Sequence, residues 1–426
     1  MSAFDKVIGY KSVKAELGRI ADIIKNPQKY EKYGVSFPKG IVLYGEPGVG
    51  KTLICNSFIE ECGINHYVCR KTESGGDFVK TIKRTFEEAV NNQPAIILLD
   101  DMDKFANGDE QHADCEEYVT VQACIDNVGK NKVFVLATVN NLRKIPQSLI
   151  RAGRFDKQIE INIPKGKEAI EIVSYYLSQK PNLGEVDPVF IARLLSGCSC
   201  AELELVINDA GIYAGAANKE CIEMEDIIKA CLRVIYNAPE TIQEDYGETD
   251  EKVAWHEVGH ALISEILEPN SVTVIAVQGY EGNNKGFTAY YRDEKYWSSY
   301  NLMLNRVITL LGGKAATEIK YGEIDVGCGS DIQRATGIIE RMTGEYLANG
   351  FGHVEMVRHS TSEEWFAKCE TTIGNEMNNN YMKAKKIIAQ NIEFAEKLVK
   401  ELVDKRLLTT DDVQRIKKTC TIKYIS

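Results

Sequence analysis

The chain has no stretch of 18 apolar residues, which removes a bilayer-spanning helix from its 426 residues. It has no signal-peptide pattern either. Met1-Ser2-Ala3-Phe4-Asp5-Lys6 opens straight into mixed polar and apolar sequence. The expectation is a soluble, cytoplasmic protein, or a membrane-anchored one whose N-terminal segment has been removed. No long Lys/Arg run offsets a net charge of −11, so a nucleic-acid partner is not expected. Twelve cysteines are scattered without a framework of spacings, which argues for a reduced compartment rather than disulfides. Cys198-x-Cys200 is the tightest pair, and no second pair stands near it at zinc-ribbon spacing. There is no internal repeat and no low-complexity tract. What remains is ordinary globular composition, 44% hydrophobic and 27% charged, with length for roughly two to four domains.

The pattern along the chain predicts α/β followed by all-α. Residues 1–165 alternate helical and strand signals, as a parallel sheet requires. Gly40–Tyr44, Ala95–Leu99 and Val133–Thr138 read as buried strands, and 157–164 as a further one. Residues 166–238 carry helical periodicity with no strand signal and are expected to form a small helical domain. A polar linker is expected at 237–247. Residues 239–426 then form a mainly helical domain. It opens with a helix near 250–267, followed by β-like runs at 271–278 and 286–292. Long helical patterns cover about 296–320, 331–349 and 376–404.

Gly45-Glu46-Pro47-Gly48-Val49-Gly50-Lys51-Thr52 matches G-x-x-x-x-G-K-[ST] between a strand and a helical pattern. Its glycines let backbone N–H groups curl around phosphates at a helix N-terminus, which predicts ATP or GTP. Lys51 is expected on the β- and γ-phosphates and Thr52 on Mg²⁺. Asp100 closes the second strand and would hold Mg²⁺. Asp101 would polarise the attacking water, with Asp103 as the fallback. Asn140, ending the next strand, could orient that water. Arg151 and Arg154 stand where arginine fingers would contact phosphate from a neighbouring subunit, which demands a ring.

His256-Glu257-Val258-Gly259-His260 reads H-E-x-x-H on a helical segment. Residues four apart share one helix face at about 5–6 Å, close enough to share one Zn²⁺. Glu257 between them can take a proton from water activated there. A third ligand must come from farther along the chain. Composition leaves Glu318, Glu323, Asp325 and Asp331 open.

Taken together, GEPGVGKT at 45–52, LLDDMD at 98–103, RAGRFD at 151–156, HEVGH at 256–260 and GSDIQRAT at 329–336 resemble the FtsH family of AAA proteases, over nearly the whole length. The resemblance implies a AAA+ P-loop domain with a helical lid, then a mainly helical zinc metalloprotease domain. It implies a homo-hexamer that uses ATP to thread protein or peptide substrates toward a zinc peptidase. It selects Asp331 as the third metal ligand, a place where an Asp would also cap a helix; Glu318 is the second candidate, as a ligand or as an outer partner to a histidine. It brings the backbone around Val7-Ile8-Gly9 to the adenine, and makes Gly286–Tyr290 an edge strand for substrate.

Two departures bear on chemistry. Asp101 replaces the usual glutamate. Asp77-Phe78-Val79 also runs directly into Lys80-Thr81-Ile82, without the usual aromatic–hydrophobic–glycine loop that grips substrate. Phe78 either substitutes for that aromatic or packs in the core. The expected function is an ATP-dependent zinc metalloendopeptidase. The alternatives are a zinc peptidase with a slow or vestigial ATPase, and a remodelling ATPase with a non-catalytic zinc domain.

Overall fold

Apolar five- to seven-residue runs separated by helical ones build the first half of the chain. A computed structural model describes residues 2–34, 39–72, 76–106, 115–128, 131–236, 248–277, 286–291, 299–323, 326–346 and 363–424. They divide into two units, Met1–Ala230 and Cys231–Ser426.

In the first unit, helices α1 (Lys11–Lys25) and α2 (Pro27–Glu31) precede strand β1 (Gly40–Tyr44). Then come α3 (Lys51–Cys62), β2 (Asn65–Arg70), α4 (Gly76–Asn91), β3 (Ala95–Asp100), α5 (Glu116–Val128), β4 (Val133–Val139) and β5 (Lys157–Glu160). The strands form one parallel sheet in the order β2-β3-β4-β1-β5. β3 and β4 are buried along their whole length, because helices cover both faces of a parallel sheet. On one face Phe78, Ile82 and Phe86 of α4 and Val121 and Ile125 of α5 pack on Ile97, Leu99 and Val135. On the other, Phe58 of α3 meets Phe134 at 5.6 Å between ring centroids. β1, β3 and β4 end side by side, which brings Gly45, Asp100 and Asn140 to one edge of the sheet.

Four helices follow: α6 (Gly166–Ser178), α7 (Pro188–Leu194), α8 (Cys200–Ala216) and α9 (Met224–Tyr236). Their starts are written locally. Asp187 caps α7, with Pro188 at its first position. Ser199 and Glu202 form a capping box on α8. The expected linker at 237–247 lies outside the described residues.

The second unit is built on α10 (Glu248–Leu267), buried from Ala254 to Ile266 apart from the half-buried His256. Strands β6 (Val272–Val277) and β7 (Gly286–Tyr290) follow, then α11 (Tyr300–Leu310), α12 (Gly312–Tyr321), α13 (Gly329–Gly344), α14 (Glu363–Gln390), α15 (Ile392–Lys405), β8 (Leu407–Thr409) and α16 (Thr410–Lys417). The strands make an antiparallel sheet in the order β7-β6-β8. Trp255, Val258 and Leu262 of α10 pack with Leu311, Ile339, Ile388 and Phe394. The helical run expected at 296–320 is two helices broken at Leu311, and 376–404 is broken at Asn391. There the Asn391 side chain donates to the Ile387 carbonyl at 2.9 Å and accepts from the Lys423 N–H at 2.8 Å. Among the described residues no helix is long and apolar enough to cross a membrane.

Candidate nucleotide and metal sites

The loop 45–50 turns on glycines at positive φ: 79° at Gly48 and 93° at Gly50. Lys51 opens α3, and its buried Nζ donates to the carbonyls of Gly45 (2.7 Å) and Glu46 (2.8 Å) and to Asn140 Oδ1 (2.8 Å). Burial lowers the pKa of this ammonium. Asn140 thus meets the P-loop lysine directly. Val49 is buried, while Pro47, Gly48 and Thr52 are exposed.

The start of α8 sits on this loop. The Ala201 N–H donates to the Gly48 carbonyl at 3.1 Å. A Cβ on Gly48 would stand 2.8 Å from Ser199 Oγ, so only glycine admits the helix this close. Sequence reasoning missed this contact, although the Ser199-x-x-Glu202 capping box was there to be read. Cys200 packs here too, 3.3 Å from the Tyr10 hydroxyl. Ile8 is half-buried beside Gly9 and Tyr10, where the Tyr10 N–H donates to the carboxylate of Glu168.

Asp100 is buried at the end of β3 and accepts from the Thr138 hydroxyl at 2.7 Å. The same hydroxyl accepts from the Asp101 N–H at 2.8 Å. Arg70, at the end of β2, is paired with Asp100 through its guanidinium. Asp101 has a left-handed backbone, φ 53°, and is paired with Lys104 at 2.7 Å. Asp103 Oδ1 is buried with no hydrogen-bond partner among the described residues.

The two candidate finger arginines differ. Arg151 is exposed. Arg154 is only 5% exposed and donates to both carboxylate oxygens of Asp126, at 2.8 and 2.6 Å, and to the Ser148 carbonyl. Phe78 is 1% exposed and meets Phe105 edge-to-face at 4.8 Å, so the core alternative holds for it.

In the second unit, His256 and His260 lie one turn apart on α10 with their Nε2 atoms 3.1 Å apart. Asp331, in the first turn of α13, brings Oδ2 to 3.3 Å from His256 Nε2 and 3.1 Å from His260 Nε2. The three ligand atoms lie within 4.8 Å of one another. His260 Nδ1 is 2.8 Å from the Thr309 carbonyl, which fixes its proton there. The Gly313 N–H is also 3.3 Å from this nitrogen, but one ring nitrogen cannot serve both, and the shorter contact to a carbonyl decides. His260 Nε2 is therefore a bare electron pair facing a carboxylate and a second imidazole. Such convergence of donors fits a cation. Gly313 lets both imidazoles pack against α12: a Cβ there would stand 2.5 Å from His256 Nε2, 2.6 Å from its Cε1 and 2.7 Å from His260 Nε2. Two histidines and a carboxylate fit the donor set of a zinc site that keeps a fourth position for water.

Glu257 is 7% exposed and lies against β7, where Thr288 donates its hydroxyl to Oε2 at 2.8 Å. Burial raises the Glu257 pKa, against the pull of both histidines and Thr288. Glu318 does not partner a metal-site histidine, as the sequence had suggested. It accepts from Tyr381 and from Lys385 at 2.9 Å, and the Thr309 carbonyl takes the role beside His260. Glu323 is exposed, and Asp325 lies outside the described residues.

Residues 41–163 match the family model of the ATPase family associated with various cellular activities (AAA), and residues 246–416 that of peptidase family M41. The chain is 30% identical to an ATP-dependent zinc metalloprotease FtsH of Caldicellulosiruptor bescii, over 97% of this chain and 71% of that protein. It is also 30% identical to one of Halothermothrix orenii, over 94% of this chain and 68% of the relative. Identity to the FtsH 3 protein of Symbiobacterium thermophilum is 29%, over 96% and 70%.

Proposed function

From the premise that this chain belongs to the FtsH family of AAA proteases, as an ATP-dependent zinc metalloprotease acting on proteins, we propose that His256, His260 and Asp331 hold the catalytic zinc and that Glu257 is the general base. The observation that carries this assignment is the meeting of His256 Nε2, His260 Nε2 and Asp331 Oδ2 beside a buried Glu257. Zinc bound there supplies a Lewis acid that brings the pKa of a water to about 7. Glu257 accepts the proton at its carboxylate and returns it to the leaving amine nitrogen. Thr309 holds His260 in the tautomer that leaves Nε2 for metal. Among the described residues β7 ends the sheet order β7-β6-β8, the position at which an extended substrate backbone would add as a further strand.

For the nucleotide we assign ATP phosphates to the N–H groups of Gly45–Thr52 and to Lys51, with Mg²⁺ on Thr52 and Asp100. Asn140 and Asp101 orient the attacking water, and Ile8 meets the base. We assign the finger role to Arg151, the exposed arginine of the pair. Arg154, clamped on Asp126, braces the loop that carries it. A finger acting on a neighbour's nucleotide requires a ring, and a homo-hexamer is the proposed assembly. The domain division we propose is 1–165, 166–238 and 239–426.

Glu257→Gln tests the centre of this reading. The variant is expected to stop casein cleavage while zinc content and ATP turnover stay at wild-type values. Cleavage by the zinc-loaded variant at the normal rate would refute the base assignment.

A further inference from the structure

We infer that Thr288 is a positioning residue for peptide cleavage: its hydroxyl anchors and aims the Glu257 carboxylate from the strand on which substrate backbone is laid. This rests on Glu257 being the general base. A glutamate side chain has three rotatable bonds, so burial alone does not fix where its carboxylate points. Among the described residues, the Thr288 hydroxyl is the hydrogen-bond donor to that carboxylate. The hydroxyl has one proton and two acceptors in reach, Glu257 Oε2 at 2.8 Å and the Glu257 carbonyl at 3.1 Å. The shorter contact to an ionised oxygen is the stronger bond, and it takes the proton.

A second contact from the same strand supports the assignment. Alternate residues of a strand share a face, and Gly286 stands two before Thr288. A Cβ on Gly286 would lie 2.9 Å from Glu257 Cγ and 2.6 Å from Val253 Cγ1. β7 therefore closes on Glu257 at both ends, with glycine against the methylene and threonine on the oxygen. Among the described residues β7 also stands at the end of its sheet, next to β6. One element thus sets the register of the substrate and the aim of the base, and near-attack geometry depends on both.

Two substitutions separate this role from a purely structural one. Valine keeps the β-branch that favours a strand and removes the hydroxyl; serine does the reverse. Thr288→Val is expected to lower kcat for casein cleavage about tenfold, the cost of one charge-assisted hydrogen bond. Its KM, zinc content and ATP turnover stay at wild-type values. Thr288→Ser is expected to retain kcat. Full activity in the valine variant, or equal loss in both, overturns the positioning role. Glu257→Gln, assayed alongside, distinguishes the two ways of failing. If it still cleaves, the general-base reading falls. If it is inactive while Thr288→Val runs at full rate, only the role of Thr288 falls.

Discussion

Gly313 shows how much one missing side chain can decide. The two histidines announce a metal from the sequence alone, because their spacing is a property of any helix. The residue that keeps their nitrogens accessible does not announce itself. It lies on another helix, and a glycine near a helix start is unremarkable in a string of letters. Built onto the backbone, a Cβ at 313 collides with both imidazoles and would push their nitrogens off the shared site. Gly313→Ala is therefore expected to fold and to lose most of its zinc. Gly337→Ala on α13 serves as the control, since a Cβ there meets nothing within 4 Å. Metal analysis of the two purified variants checks this. Full zinc occupancy in Gly313→Ala would mean that the metal sits elsewhere. Asp331 illustrates the opposite limit. Composition leaves four carboxylates open and only the family resemblance selects among them; the physical reason needs the chain folded, where Asp331 reaches both imidazoles and Glu318 turns to Tyr381 and Lys385.

Elements were legible in proportion to their burial. β1, β3 and β4 are continuous apolar runs because both their faces are covered, and the sequence marks each of them. β2 escaped because Asn65–Arg70 ends its sheet, with polar Asn65, His66 and Arg70 at its two ends, a three-residue apolar run between them and only Cys69 buried. β8, three residues long, escaped for want of length. Missing β2 meant missing Arg70, which the strand register sets directly opposite Asp100. This element contact has a functional consequence. In the proposed nucleotide site, the Arg70 cation must be displaced from Asp100 before that carboxylate can hold Mg²⁺. The pair is partly solvated, with the Arg70 side chain 57% exposed, so the competition is modest. Arg70→Gln is expected to lower the Mg²⁺ concentration giving half-maximal binding of a fluorescent ATP analogue by about two- to fivefold. Titrating Mg²⁺ at fixed analogue measures it, and an unchanged midpoint would show that Arg70 and the metal do not compete.

At the scale of the whole molecule, the proposed ring makes ATP turnover depend on a neighbouring subunit, and the arginines of the 151–156 loop make that testable. Arg154 is held by Asp126 and the Ser148 carbonyl, so leaving its own subunit would break a buried pair. Arg151 is exposed and can reach outward. A phosphate-contacting finger contributes on the order of 10³–10⁵ in rate, so its loss should silence the site it serves. If it serves a neighbour's site, two dead variants can repair one another. Lys51→Ala cannot hold nucleotide productively but still carries Arg151. Arg151→Ala holds nucleotide but lacks the finger. Each alone is expected to show no ATP turnover. In an equal mixture that has exchanged subunits, Arg151→Ala sites flanked by a Lys51→Ala neighbour regain their finger. Random placement around a closed ring then restores about a quarter of the wild-type rate. Exchange is followed by energy transfer between labelled subunits, and turnover by phosphate release. A mixture that exchanges freely yet stays inactive would place Arg151 outside the neighbour's active site and remove the argument for a ring built on it.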